Sequence, residues 1–142
     1  MMPRAEQTIV IDAPIDRVYK VITDYERYPE FLPDMKEVRV LSRQDGVVIV
    51  RFELELIMRV SYTLRLQEDP PAQVSWRLES AKMIAENNGG WRLASEGDKT
   101  RAAYALEVRL RGLIPKSVSA RLLGITLPET LERFGARCMG RV

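Results

Sequence analysis

The chain has 142 residues, 46% hydrophobic and 30% charged, which is typical of one globular domain over residues 1–142 that builds its core without disulfide or metal support. Its 22 Lys and Arg against 20 Asp and Glu leave a net charge of +2. This argues against a DNA-binding protein, because such proteins concentrate basic charge on one face. The absence of histidine excludes Ser-His-Asp triads and histidine-ligated metals, and the single cysteine, Cys138, excludes an intrachain disulfide. We therefore expect neither a metal nor a cofactor.

The amino terminus and the hydropathy of the chain predict a cytoplasmic protein. No apolar segment follows a basic amino terminus, as a secretory signal would require. No run reaches the ~18–20 apolar residues of a membrane span. We expect a reduced Cys138 and no stable insertion into a membrane.

The first part of the chain predicts a strand followed by two short helices. Residues 8–11 are a β-branched run typical of a strand. Apolar residues then follow at i, i+3, i+4 and i+7, with Pro14 at the first helical position; they are Ile15, Val18, Tyr19 and Ile22. Residues 25–28 predict a second short helical or turn segment, which Pro29 and Pro33 keep short.

From residue 35 onward the apolar period changes from 3.6 to 2, which predicts a meander of about six antiparallel strands. The dipeptide Asp45-Gly46 is a hairpin signal between the first two. Charged outward positions alternate with apolar inward ones in residues 48–56, 58–66, 74–78 and 104–110. Residues 83–94 predict a further strand, broken by a bulge or bend at Gly89-Gly90.

The carboxyl-terminal part predicts a long helix that begins at Pro115. Its apolar stripe follows i+3 and i+4 steps and consists of Ala120, Leu123, Leu127, Leu131, Phe134 and Cys138, widened by Val118, Leu122 and Ile125. A kink is expected where the ring of Pro128 meets the carbonyl of Gly124. Because a sheet with one apolar face must be covered, we predict an α+β fold with the sheet curled around this helix.

Three segments of the sequence carry a resemblance to a known family. They are IDAPIDRVY at residues 11–19, TDYERYPEFLP at residues 23–33 and GGWRL at residues 89–93. With the terminal helix they resemble the START-like polyketide cyclase/dehydrase family (SRPBCC), most closely its coenzyme-Q-binding subgroup, which includes ribosome-association-toxin-like proteins. The resemblance implies a helix-grip fold, in which a curved antiparallel sheet of six or seven strands surrounds a long, kinked carboxyl-terminal helix. It also implies a cavity between sheet and helix that takes a quinone, a lipid or a polyketide.

Eight inward-facing residues are candidates for binding such a ligand: Phe52, Tyr62, Trp76, Asn87, Trp91, Tyr104, Leu123 and Leu127. For the aromatic ones, periodicity alone favours an ordinary close-packed core, whereas the resemblance favours a cavity wall. Buried tyrosine and tryptophan need partners for their polar tips, and a ligand oxygen, a backbone group or water would serve. Asn87 either bonds a ligand oxygen or is a bulge residue bonded to local backbone.

Two apolar segments are candidates for the entrance of the cavity. Tyr28, Phe31 and Leu32 form either one lip of the entrance or a plug at the end of the core. Leu113, in the apolar connector of residues 110–115, forms the opposite lip, touches a membrane surface or folds back on the core. A nearby basic cluster faces anionic lipid, ribosomal RNA or only solvent, and comprises Arg109, Arg111, Lys116 and Arg121.

The sequence favours binding over catalysis, because no convergent set of ionisable side chains is readable on the inward faces. We therefore expect a carrier, chaperone or sensor whose partner is a hydrophobic small molecule. One alternative is an aromatase/cyclase acting on a polyketide-like substrate, which a buried Tyr62 or Tyr104 close to an inward acid would favour. The other is a ribosome-association module, which a contiguous basic surface and a solid core would favour.

Overall fold

The protein folds as one antiparallel sheet with helices on its concave side, and the computed structural model describes residues 4–124 and 126–141. The strands are β1 (Arg4–Ile11), β2 (Met35–Gln44), β3 (Val47–Glu55), β4 (Arg59–Asp69), β5 (Gln73–Ala81), β6 (Ile84–Glu96) and β7 (Lys99–Leu110). Their order in the sheet is β1-β7-β6-β5-β4-β3-β2. The helices are α1 (Ile15–Ile22), a 3-10 helix (Tyr25–Glu30), α2 (Lys116–Leu122) and α3 (Leu127–Cys138).

This architecture confirms the predicted α+β class and the helix-grip arrangement, with seven strands and two short helices after the first. The alternation that predicted the strands is visible in burial: on β3, Val50 and Phe52 are buried, whereas Arg51 between them is exposed. The outer face carries ion pairs such as that of Glu55 with Arg59, at 3.5 Å. A sheet that is covered on one side only produces this pattern.

Strand β6 is continuous through its glycines, so the predicted break at Gly89-Gly90 is wrong. Gly89 pairs with Leu106 and Gly90 with Ala105 in unbroken register. The irregularity lies instead between Ile84 and Glu86. Glycine at position 89 allows β7 to approach closely, because a Cβ there would lie 2.3 Å from the carbonyl oxygen of Ala105.

The carboxyl-terminal helix is interrupted as predicted, but the cause differs from the predicted one. Gly124 has a φ of +92°, a left-handed conformation that ends α2. Pro128 lies in the first turn of α3, where it has no preceding helical carbonyl to collide with. The two halves are therefore separate helices rather than one kinked rod, and Ile125 lies outside the described residues.

The helices divide the core into two parts. Leu131 on α3 packs in a large cluster with Val18 and Ile22 of α1. Val118 and Leu122 on α2 pack in a smaller cluster near the ends of β3 and β7. Within the described residues, none of the helices has the length and apolarity to cross a bilayer.

Candidate ligand cavity

The concave face of the sheet and the helices α2 and α3 leave a cavity of about 210 Å³ between them. Strands β3 to β7 supply its inner wall, because their alternation directs every second side chain inward; that wall includes Phe52, Tyr62, Leu64, Leu66, Trp76, Asn87, Trp91, Tyr104 and Leu106. The helical wall includes Leu122, Gly124, Leu127 and Phe134. The core is therefore hollow at this place rather than fully packed.

Aromatic rings stiffen the sheet side of the cavity. Phe52 and Tyr62 stack across β3 and β4, with ring centroids 5.2 Å apart. Trp91 contacts Tyr104 edge to face at 4.9 Å and reaches Phe134 of α3 at 5.1 Å. Such edge and stacked contacts fix the ring orientations, so the hollow has a defined apolar wall.

Asn87 forms a polar contact inside the cavity with another side chain rather than with local backbone. It is 6% exposed, and its Oδ1 accepts a hydrogen bond of 3.1 Å from the indole Nε1 of Trp76. Trp76 pairs with Gly89 in the sheet register, which leaves room for the indole above the neighbouring strand. The bulge interpretation of Asn87 is therefore wrong.

Tyr62 and Tyr104 present hydroxyl groups to the cavity. Neither hydroxyl forms a hydrogen bond with another group of the described chain. In the described residues, every side-chain oxygen or nitrogen that is inaccessible to solvent has a hydrogen-bond partner. Both hydroxyls are therefore accessible, and the cavity is the space that they reach. Burial raises the pKa of each phenol well above its usual value, and the pKa of Tyr104 is raised further by Tyr62. They remain protonated and able to donate.

The segment between the 3-10 helix and β2 is divided between the cavity and the core. Tyr28 and Leu32 line the cavity, and the Tyr28 hydroxyl donates a hydrogen bond to the carbonyl of Ile22. Phe31 is not part of the lining. It is buried against Tyr28 and Phe134, at centroid distances of 5.9 and 5.1 Å, so the plug interpretation describes Phe31. Tyr28 and Leu32 are buried parts of the cavity wall, and their role as a lip of the entrance stays a prediction.

Leu113 and Leu123 are the other two candidates that the structure does not bring to the cavity. Leu113 is fully exposed in the loop between β7 and α2, so it forms no lip of this hollow. Leu123 packs against the smaller core cluster, because the left-handed Gly124 ends the helix before its stripe continues. The remaining seven predicted binding residues all line the cavity.

Within the described residues, the charged side chains of the cavity lie at its mouth, between the loop before β2 and helices α2 and α3. Arg121 of α2 contacts Asp34 of that loop, with Nη1 and Oδ2 2.6 Å apart. Glu129 and Arg133 of α3 form a second pair at 3.2 Å. Among the described residues no group of acidic or cysteine side chains is arranged to hold a metal ion. The interior can therefore bind by burial and hydrogen bonding.

The mouth residues Asp34, Glu129 and Arg133 were not predicted from the sequence. Asp34 lies two residues after the predicted entrance segment, and its position between Pro33 and the next strand was the available signal. Glu129 and Arg133 have the i, i+4 spacing of a helix-surface ion pair, which gives no indication of a nearby cavity. Arg121 was identified, but as part of a basic edge.

Comparisons with known proteins agree with this geometry. Residues 11–134 match the family described as polyketide cyclase / dehydrase and lipid transport. No curated protein matches the chain at a significant level of similarity.

Three solved structures illustrate the similarity in fold. The Zhui aromatase/cyclase from Streptomyces sp. R1128 is 20% identical, with a TM-score of 0.84 and coverage of 99% of this chain and 96% of that one. A START superfamily protein from Mycobacterium smegmatis is 18% identical, with a TM-score of 0.81 and coverages of 98% and 99%. A STAR-related lipid transfer protein from Xanthomonas axonopodis is 17% identical, with a TM-score of 0.79 and coverages of 96% and 85%. At these identities the likeness shows the fold alone.

Proposed function

Because this chain belongs to the polyketide cyclase/dehydrase and lipid transport family, we propose that it holds one apolar small molecule in the cavity, as a carrier, chaperone or sensor. The observation that supports this is the unfilled space between the sheet and α2 and α3. Protein interiors are close-packed, and voids larger than a water molecule are few. A hollow of this size between the sheet and the helices supports a binding function.

Burial supplies the binding energy in this proposal. Removing about 200 Å² of apolar ligand surface from water contributes about 5 kcal/mol, at roughly 25 cal/mol per Å². The aromatic contacts of Phe52, Trp91 and Phe134 keep the wall in place, so little ordering cost accompanies binding. Affinity then depends on how much of the ligand the cavity covers.

The polar groups of the cavity define the ligand class. Tyr62 and Tyr104 offer protonated hydroxyls, whereas the Asn87 carbonyl is already engaged by Trp76. The interior thus offers donors and no charge, which suits a neutral ligand with a carbonyl or similar acceptor oxygen. A volume of about 210 Å³ is below the ~300–1,000 Å³ of drug-sized sites. A ring system fits, and a long tail would extend through the mouth; a quinone head group has these properties.

Equilibrium dialysis with a matched pair of ligands tests the proposal. Tetralone and tetralin differ in one carbonyl group, so both probe the apolar cavity and only tetralone probes the tyrosine donors. We expect both to be retained by the protein, with tetralone bound about 5- to 10-fold more tightly, since a hydrogen bond contributes ~1 kcal/mol or slightly more. The double variant Tyr62→Phe/Tyr104→Phe should lose that preference and still bind tetralin.

Tyr19→Phe is the control, because the Tyr19 hydroxyl bonds the Gln73 carbonyl outside the cavity. It should leave both affinities unchanged. Retention of neither compound, together with empty protein after native mass spectrometry and extraction from its own host, would refute the binding function. Equal retention of the two compounds would refute only the tyrosine assignment.

The aromatase/cyclase alternative receives less support from the site. A cyclase of this kind needs a base near the reacting carbons. Burial alone raises the pKa of Tyr62, and burial together with Tyr62 raises the pKa of Tyr104, so no carboxylate contributes to either shift. Within the described residues, the charged groups that line the cavity are Asp34, Arg121, Glu129 and Arg133 at the mouth. Turnover of a poly-β-keto thioester by the purified protein would favour this alternative over a carrier.

A further inference from the structure

Loops at one end of the sheet expose apolar side chains to solvent. Strands β3, β5 and β7 run in the same direction, so the loops that follow them, residues 56–58, 82–83 and 111–115, lie at the same end. We name these residues the loop end. Leu113 is 105% exposed and Ile57 is 74% exposed, the two most exposed large apolar side chains of the described residues. Most of the surface of both side chains is therefore in contact with water.

The exposed tips are attached to well-packed neighbours. Leu56, Met83 and Ile114 all pack against the smaller core cluster, beneath α2 and the ends of the strands. The residues next to them in sequence, Ile57 and Leu113, therefore project from anchored positions. Isolated exposed apolar residues need no explanation, but apolar tips at one end of the sheet that are anchored on the same core cluster suit an interaction surface.

Positive charge surrounds these tips. Lys82, Arg111 and Lys116 are exposed, and none of them has an ion-pair partner in the described residues. Of the acidic side chains near these strand ends, Glu55 contacts Lys36 and Arg59, at 3.7 and 3.5 Å, and Glu86 contacts Arg109 at 3.1 Å. Glu79 of β5 has no ion-pair partner among the described residues, so the three cations outnumber the unpaired acid. The loop end thus combines apolar side chains with unneutralised cations.

We propose that the loop end docks on the surface of an anionic lipid bilayer. Its cations would lie at the level of the lipid phosphates, and Leu113 and Ile57 would enter the boundary between head groups and acyl chains. RNA would use the cations but not the exposed Leu113 and Ile57, so the apolar tips favour lipid. The cavity mouth at Arg121 is on α2, the helix that directly follows the loop with Leu113, so a molecule leaving the bilayer would have a short path inward.

Co-sedimentation with vesicles tests the docking surface on the full chain without added ligand. We expect binding to vesicles of phosphatidylcholine with 30% phosphatidylglycerol, and much weaker binding to phosphatidylcholine alone or in 0.5 M salt. Lys116→Ala should lower the partition coefficient about fivefold, the effect of one cation near an anionic surface. Leu113→Ser should lower it about tenfold, as expected for loss of a largely buried leucine side chain.

The matched controls are Leu41→Ser and Lys99→Ala. Leu41 is 52% exposed on β2, away from the loop end, and Lys99 begins β7, about 36 Å from its other end at ~3.3 Å per residue. Both should bind like the unmodified protein. Equal losses in the controls, no preference for anionic vesicles, or a loss with Lys116→Ala but none with Leu113→Ser would each overturn the proposal; the last result would indicate a polyanion such as RNA. Retention of tetralone is measured separately and does not depend on these results.

Discussion

Asp34 and Arg121 connect the two sides of the cavity mouth, with Oδ2 and Nη1 2.6 Å apart. Asp34 lies in the loop before β2 and Arg121 on α2, so the pair joins the two segments that flank the mouth. Both side chains are more than a third exposed. Pairs of this kind contribute ~0–1 kcal/mol, which suits a contact that opens often.

Asp34→Asn should therefore speed the release of a bound ligand with little effect on folding. We expect dissociation of a quinone such as menadione to be about two- to fivefold faster, since up to ~1 kcal/mol of closing interaction is removed. Stopped-flow dilution measures the rate, because a bound quinone quenches Trp76 and Trp91, both of which line the cavity. Glu129→Gln is the control, since Glu129 pairs with Arg133 on the same helix. Equal rates in both variants would show that the pair does not restrain the mouth.

Gly89→Ala should destabilise the sheet. The added Cβ would lie 2.3 Å from the Ala105 carbonyl oxygen and 2.8 Å from the ring of Trp76. The backbone of a central strand cannot move away easily, so we expect a loss of about 1–3 kcal/mol in the free energy of unfolding. Urea denaturation followed by circular dichroism measures it.

Gly135→Ala is the matched control for that substitution. Gly135 lies within α3, and a Cβ there would make ordinary contacts of 3.7 and 3.9 Å with Ile11 and Ile9. Because alanine favours a helix over glycine by up to ~1 kcal/mol, this variant should be as stable as the parent or more stable. Equal destabilisation by the two changes would contradict the assigned role of Gly89.

Much of the fold was predictable because burial imposes a period on the sequence. The alternation around Arg51 identified β3, and the spacing of Val18 and Ile22 identified α1. Gly89 and Gly90 were misjudged because glycine within a strand permits either a bulge or a close approach. Only the positions of the Ala105 carbonyl and the Trp76 ring distinguish the two, and both are remote in sequence.

The cavity was predictable as a set of inward side chains but not as a hollow. Period two identified Tyr62 and Tyr104 as inward on their strands. Whether their tips meet protein or empty space depends on how far α3 approaches the sheet, which has no local signature. The prediction that Leu123 lines the cavity was wrong for a related reason. It extended the helical period across Gly124, where the backbone is left-handed.

Asn87→Ala should lower the free energy of unfolding, because it removes the hydrogen-bond acceptor of Trp76. It leaves the indole N–H of Trp76, now bonded at 3.1 Å, without an acceptor in an apolar surrounding. We expect a loss of about 0.5–1.5 kcal/mol in the free energy of unfolding, the net contribution of a typical hydrogen bond, because Trp76 is half-buried. Asn88→Ala, on the exposed outer face, should change it by less than ~0.5 kcal/mol. Similar values for the two variants would mean that the Trp76–Asn87 bond contributes nothing measurable.

The Cys138 thiol should make stability depend on pH at alkaline values. Burial raises its pKa to about 11, and the nearby Arg17 offsets this only in part. In the unfolded chain the thiol loses its proton near pH ~8.5, so above that pH the unfolded state holds fewer protons than the native state. The free energy of unfolding must then fall as pH rises from about 8.5 towards 11, and it is unaffected by this group at lower pH.

Urea unfolding of the parent and of Cys138→Ala at pH 8, 9 and 10 isolates this effect. The alanine variant should be less stable at pH 8, because it leaves a small cavity in the core. Between pH 8.5 and 10 the parent should lose about 1.5 kcal/mol more than the variant, with a slope of at most ~1.4 kcal/mol per pH unit. Tyrosines begin to titrate in the unfolded chain near pH ~10, so the comparison stops there. Parallel pH profiles would show that the thiol of Cys138 ionises as easily in the native protein as in the unfolded chain, in conflict with its burial.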